Sequence, residues 1–302
     1  MSVNKILFIG LSNVGDVIMT TPVLKTLHDK FPTALFDIVT DKRAAQLYKN
    51  YPFINDLYLK DKNKLLRGVP VLLVQLWKSR YDIIVDVRSD GLAYLLRGRK
   101  RYTKWTAKSY GSHAVEEIMG VVHGLHGNEP IPDVELWLSE ENRNYAKKEL
   151  SFFDCDDKLL SMSVGDCRKP EKNLSADKYI DLLNKHKNNF SGVIFLGNEF
   201  EADITQEVCR NIDIQYINTV GNSLLDAAAL IEQTCLYIGP DSGLGHIASA
   251  VNVPTISFFS VMSPERFRPW ANNSTCIQGE HNDARNITVN EISNVIRGLF
   301  NE

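Results

Sequence analysis

Short apolar runs recur along the whole chain, each followed by a polar turn and a stretch with helical spacing. Such runs predict strands over 5–10, 35–39, 56–59, 81–87, 159–165, 193–197 and 214–217, a short one from Tyr237, and another opened by Pro254. Helices are expected between them, over 16–30, 42–49, 64–79, 140–150, 175–188, 199–210, 223–234 and 289–299. The runs are continuously apolar rather than alternating, which is the pattern of strands buried on both faces of a parallel sheet. Strand, turn and helix in regular succession define the α/β class with helices on both sheet faces. Pro22 falls inside the first helical stretch, so that helix kinks or breaks after Thr20-Thr21. Residues 127–132, with two prolines, a glycine and an asparagine, make the best linker. The reading is therefore two Rossmann-like, doubly wound domains, 1–135 and 136–302, facing each other across a cleft. Whether the last helix returns to the first domain is left open.

Composition narrows the class of function. At 44% apolar and 24% charged, the 302 residues are those of a soluble globular protein. No apolar run approaches the ~18 residues needed to cross a bilayer, and the start of the sequence, Lys5 running straight into Ile6-Leu7-Phe8-Ile9-Gly10, is expected to be a first strand rather than a signal peptide. Cys155, Cys167, Cys209, Cys235 and Cys276 are odd in number and form no C-x-x-C pair. They point to a reducing cytoplasm and to no disulfide framework or cysteine-built zinc site. The histidines show no metal-ligand spacing, so no metal is expected. Residues 1–150 carry 22 Lys/Arg against 17 Asp/Glu, and the remainder 12 against 20. A basic first half suits an anionic acceptor or an anionic membrane surface. Residues 97–108 concentrate six basic side chains, Arg97, Arg99 and Arg101 among them, around Tyr102 and Trp105. The brevity of this patch and a pI near 6.2 argue against nucleic acid. It reads as a face for phosphorylated lipid or sugar, or as an edge strand with outward cations.

The most informative stretch is Tyr237-Ile238-Gly239-Pro240-Asp241-Ser242-Gly243-Leu244-Gly245-His246, leading to Ala250. It is a strand, a tight polar turn and a small-residue helix. The mouth of such a helix offers unpaired N–H groups and the positive end of its dipole to an anion such as phosphate. The alternative is a plain N-cap and a tight turn. Gly10 and Gly15 after the first strand lack the G-x-G-x-x-G spacing of a dinucleotide site, and no serine lies in a G-x-S-x-G elbow.

Four motifs, taken in order, resemble glycosyltransferase family nine, the bacterial lipopolysaccharide heptosyltransferases. They are Gly15-Asp16 with Thr21-Pro22-Val23-Leu24; Tyr81-Asp82 through Asp86-Val87-Arg88; Lys172-Asn173-Leu174-Ser175; and Asp241-Ser242-Gly243-Leu244-Gly245-His246-Ile247-Ala248-Ser249-Ala250 with Val253-Pro254. The resemblance implies a GT-B fold whose N-terminal domain receives the acceptor and whose C-terminal domain binds a nucleotide sugar. It implies an inverting transfer without metal or cofactor, moving heptose from ADP-heptose to the phosphorylated lipopolysaccharide inner core. The enzyme would work peripherally at the cytoplasmic face of the inner membrane. Asp16 matches the family's general base, and Lys172 would balance the charge of the leaving diphosphate, with Lys169 and Arg168 as alternatives. Asp241, Ser242 and Gly243 would hold the donor. His246 would contact a phosphate, orient Asp241 or simply pack in the core. Glu201, with Glu199 competing, stands where the family binds the ribose, and Arg97, Arg99 and Arg101 are candidates for the acceptor. Two features depart from the family: Leu174-Ser175 replaces a tryptophan-proline pair, and Ser260-Val261-Met262-Ser263 replaces a glycine-proline-threonine turn. A different donor sugar, a GT-B-like nucleotide-sugar epimerase and a non-catalytic binding protein are the alternatives.

Overall fold

The computed structural model describes residues 3–60, 69–88, 91–154 and 156–300. The chain divides into two compact units, Met1–Trp137 and Leu138–Glu302.

Among the described residues, unit 1 runs β1 (Lys5–Ile9), α1 (Val14–Met19), α2 (Thr21–Lys30), β2 (Leu35–Asp41), β3 (Ile54–Lys60), α3 (Val69–Trp77), β4 (Tyr81–Asp86), β5 (Gly98–Thr103), α4 (Ala114–Met119) and α5 (His123–His126). Its sheet is parallel, in the order β3-β2-β1-β4-β5. Ile6, Leu7, Phe8 and Ile9 are fully buried, because helices cover both faces of the central strand. The expected helix over 16–30 is two helices, broken at Thr20. Pro22 sits in the first turn of α2, where its missing N–H costs no hydrogen bond. The Thr20 and Thr21 hydroxyls donate to the carbonyls of Val17 and Ile18, at 2.7 and 2.8 Å, bracing the break with side-chain bonds. The helix expected over 42–49 is only a 3-10 turn, Ala45–Tyr48, and the start of the one expected over 64–79 lies outside the described residues. Beyond the proline-rich connection, Glu135 N donates to Thr21 Oγ1 at 2.9 Å and Lys25 pairs with Glu135 at 2.8 Å. These contacts hold the end of unit 1 against α2.

Unit 2 runs α6 (Glu140–Glu149), β6 (Leu159–Met162), α7 (Ala176–Lys185), β7 (Gly192–Phe195), α8 (Ala202–Arg210), β8 (Tyr216–Asn218), α9 (Leu224–Ile231), β9 (Leu236–Pro240), α10 (Gly243–Ala250), β10 (Thr255–Phe259), α11 (Pro264–Phe267), β11 (Ser274–Gln278) and α12 (Val289–Phe300). Its parallel sheet has the order β11-β10-β9-β6-β7-β8. Numbered from its own first strand and read from the β8 edge, this is 3-2-1-4-5-6, the order of a dinucleotide-binding sheet. The strand expected over 214–217 begins two residues later, and Ile214 goes into the core instead. Thr288 starts α12, donating from its N–H and hydroxyl to Glu291 Oε2 at 2.7 and 2.6 Å. Ile292 and Ile296 of α12 join the buried cluster of unit 2, so the last helix completes that unit's own core.

Candidate functional site

In an open parallel sheet, ligands gather outside the carboxyl ends of the strands where the winding reverses direction. In unit 2 that point lies between β6 and β9. A hollow of about 260 Å³ opens there, bounded by Ser163, Gly165, Asp166, Lys169, Lys172, Asn173, Asn198, Glu201, Pro240, Asp241 and Ser242. Three loops build it, following β6, β7 and β9.

The loop after β6 is braced from within. Gly165 adopts φ +84°, and a Cβ there would overlap the Asn173 side chain. Asn173 is buried and donates through Nδ2 to the carbonyls of Asp166 and Lys169, at 2.8 and 3.2 Å. Arg168 Nε and a terminal guanidinium nitrogen donate to Asp166 at 2.8 and 2.5 Å, which holds that carboxyl down at about 2. The same guanidinium lies 3.4 Å from the Phe200 ring centroid. The loop ends in a 3-10 turn, Pro170–Lys172, from which Lys172 Nζ reaches Asp241 Oδ2 at 3.5 Å.

The loop after β7 separates the two glutamates. Asn198 caps the turn over Glu199–Glu201 and receives Glu201 in return, through its backbone N–H at 3.3 Å and Nδ2 at 3.1 Å. Glu201 Oε2 also accepts from Ser163 Oγ at 2.7 Å and Gly165 N at 3.1 Å. Glu201 is thus 5% exposed and turned into the hollow, while Glu199 faces solvent. Burial raises the Glu201 pKa, and the bonds from Ser163, Asn198 and Gly165 oppose the shift.

The loop after β9 carries the opening motif. Asp241 N donates to Phe258 O at 2.8 Å, which fixes the carboxylate at the strand end. Burial raises the Asp241 pKa, with Lys172 acting in the other direction. Ser242 occupies the N-cap of α10, yet its side chain caps no amide. The hydroxyl is buried beside that of Tyr237, so the first-turn N–H groups of α10 carry no side-chain cap. Gly245 lets α10 approach its sheet: a Cβ there would sit 3.2 Å from Ser257 Oγ and 3.5 Å from Pro269 Cγ. Gly243 is the first residue of α10, and His246 is buried within it at 5% exposed. Neither lines the hollow, whereas Lys172, Asp241, Ser242 and Glu201 meet there.

In unit 1 the winding reverses between β1 and β4. Asp16 stands in the first turn of α1 and accepts from Asn13 Nδ2 at 2.8 Å. Arg88 bridges the two loops at this point, donating to Ser12 Oγ at 2.9 Å. Its position two residues past β4 is the signal that sequence reasoning passed over. Arg97, Arg99 and Arg101 lie on or beside β5, an edge strand. Arg101 donates to the carbonyls of Ala93 and Leu96 at 2.9 and 2.7 Å, and Arg97 lies 5.2 Å from the Trp77 ring centroid. Their cations are used differently, and the patch is not a uniform basic face.

The model of glycosyltransferase family 9 (heptosyltransferase) matches residues 88–294, and the chain belongs to that family. It is a glycosyltransferase, and the two parallel-sheet units are those of the GT-B fold. Its relatives include lipopolysaccharide heptosyltransferase 3 of Escherichia coli (strain K12), 24% identical over 287 residues that span 86% of this chain and 83% of the relative. Among solved structures it is similar to the family 9 glycosyltransferase of Veillonella parvula DSM 2008, at a TM-score of 0.86 and 19% identity over 99% of this chain and 98% of that one. It is similar also to E. coli heptosyltransferase WaaC with ADP, at a TM-score of 0.79 and 17% identity over 98% and 99%. Among the described residues, no helix is long and apolar enough to cross a membrane.

Proposed function

We propose that this chain moves a heptose from ADP-heptose onto the phosphorylated inner core of lipopolysaccharide, with inversion and without a metal. The observation that carries the reading is the hollow of unit 2, where an uncapped helix mouth, the Lys172–Asp241 pair and buried Glu201 converge. The uncapped amides of α10 suit the donor diphosphate. Asp241 suits sugar hydroxyls, since a carboxylate repels a second anion. Glu201 suits the ribose hydroxyls, and His246, buried in α10, supports the helix that follows Asp241. The names of the relatives supply the heptose and the lipopolysaccharide, and the WaaC complex supplies ADP.

In the proposed reaction the acceptor hydroxyl gives its proton to Asp16 as its oxygen attacks the anomeric carbon from the face opposite the diphosphate. The anomeric carbon–oxygen bond breaks and the electron pair leaves on the diphosphate. Lys172 balances that growing charge, the part a divalent cation plays elsewhere. Unit 1 holds the acceptor, with Arg88, Arg97 and Arg99 as cations for its phosphates. The protein works peripherally at the cytoplasmic face of the inner membrane, against an anionic surface.

A panel of nucleotide sugars tests the donor. At ~100 times its dissociation constant, the right ligand raises stability by about 2.7 kcal/mol. ADP and ADP-heptose should raise the melting temperature. Stabilisation by a UDP-sugar alone would overturn the assignment.

A further inference from the structure

A short helix that is apolar all round is ordinarily buried all round. Helix α3 is not. Leu72 and Leu76 enter the core of unit 1, yet Val71, Val74 and Trp77 on its outer side are 61%, 66% and 49% exposed. Pro70, Leu73, Val74, Trp77 and Leu95 enclose a shallow hollow with an almost wholly apolar lining. Trp77 Nε1 donates to Leu95 O at 2.7 Å, tying the helix to the turn before β5. Beside it Tyr94 stacks on Trp105 at 5.0 Å, and both rings are about half or more exposed. A continuous apolar surface of this kind marks a contact with something.

The surrounding charge says what kind. Residues 69–81 and 91–115 contain no Asp or Glu. Lys78, Arg80, Arg97, Arg99, Lys100 and Lys104 are all exposed around the apolar centre. A second copy of this chain would bring two such cationic rims together, and a free phosphate needs no apolar centre. An apolar centre with exposed aromatics inside a cationic rim matches a surface that is anionic outside and hydrocarbon within.

We propose that α3, with the turn before β5, docks this protein on the anionic leaflet of a lipid bilayer, Val71, Val74 and Trp77 entering the interface and the rim meeting lipid phosphates. The docking surface deepens, and rests on, the membrane-associated part of the proposed function.

The test uses the full chain with vesicles of phosphatidylcholine alone or mixed with phosphatidylglycerol. The protein should float with the mixed vesicles, and less so as salt rises. Val71→Ser with Val74→Ser should weaken that partition about tenfold, and Lys78→Gln with Arg80→Gln should flatten its salt dependence. Both variants should melt like the parent and keep its stabilisation by ADP. Equal flotation of parent and Val71→Ser/Val74→Ser chains would overturn the inference, as would equal binding to neutral vesicles. A concentration-dependent dimer that the double variant dissolves would assign the face to self-association and overturn it too. Loss of ADP stabilisation in the parent, with vesicle binding intact, would instead sink the donor reading and leave this surface standing.

Discussion

Replacing Lys172 by methionine keeps the unbranched apolar stem of the side chain and removes its charge. In the structure that charge faces Asp241 at 3.5 Å, with the two side chains 27% and 15% exposed. At an effective dielectric of about 20, unit charges at that separation attract by about 5 kcal/mol. Solvent reaches both groups, and screening brings the usable part to about half, on the order of 2–3 kcal/mol. Without the lysine, a largely buried carboxylate is left beside the helix mouth where the donor diphosphate is proposed to sit. With the donor diphosphate as near to Lys172 as Asp241 is, the same ~2–3 kcal/mol is lost from binding, and Lys172→Met should weaken ADP binding about 30- to 150-fold at pH 8, measured by titration calorimetry. The sign of the pH effect follows from Asp241. Burial already raises its pKa and Lys172 opposes that rise, so the variant raises it further. Protonation then removes the repulsion, and the variant should regain affinity as the pH falls while the parent changes less. Asp241→Asn on the Lys172→Met background should recover part of the loss at pH 8. Parent-like affinity in Lys172→Met, or a deficit independent of pH, would refute the electrostatic reasoning.

Other outcomes follow from the same geometry. Asp16→Asn should lower kcat by about 10²- to 10⁴-fold and leave ADP affinity unchanged; turnover within a few-fold of the parent would remove Asp16 from its role. Because burial raises the Glu201 pKa above 4.5, its contribution to stability is present below about that pH and is lost as the pH rises through the folded-state value. Urea unfolding of the parent should thus lose stability with rising pH relative to Glu201→Gln, and parallel curves would count against it. Gly165→Ala forces a side chain into a left-handed turn already filled by Asn173, and should cost about 1–3 kcal/mol in chemical denaturation. Asn173→Ala should cost a similar amount, and the pair together less than the sum, since both open the same loop; strict additivity would show the two to be uncoupled.

Much of this was legible in the chain itself, for definite reasons. Continuous apolar runs such as Ile6-Leu7-Phe8-Ile9 announce strands covered on both faces, and Pro22 announces the helix break. The turn at Asp241-Ser242 carries its own signal in small residues and an N-cap position. Glu199 and Glu201 were harder to separate, although Asn198 three residues before Glu201 has capping-box spacing, which predicts that Glu201 folds back. What the chain could not disclose was pairing at a distance. Lys172 and Asp241 lie far apart in sequence, and only the sheet order brings the ends of β6 and β9 together. The arginines after position 96 show the limit of composition. A run of six cations says nothing of Arg101, which is spent on two backbone carbonyls, while its neighbours face outward.

The loop after β6 has a consequence for how this site changes over time. Asn173 closes the loop on its own carbonyls, and Gly165 opens it with a turn that other residues resist. Residues 165–173 are consequently a cassette whose shape is encoded largely within itself and which carries Lys172 to Asp241. Such a cassette is best exchanged whole. Recombination between relatives, or grafting by design, should carry it across with its lysine in register, whereas substitutions made one by one inside it should first lose the shape and only then alter the charge it presents.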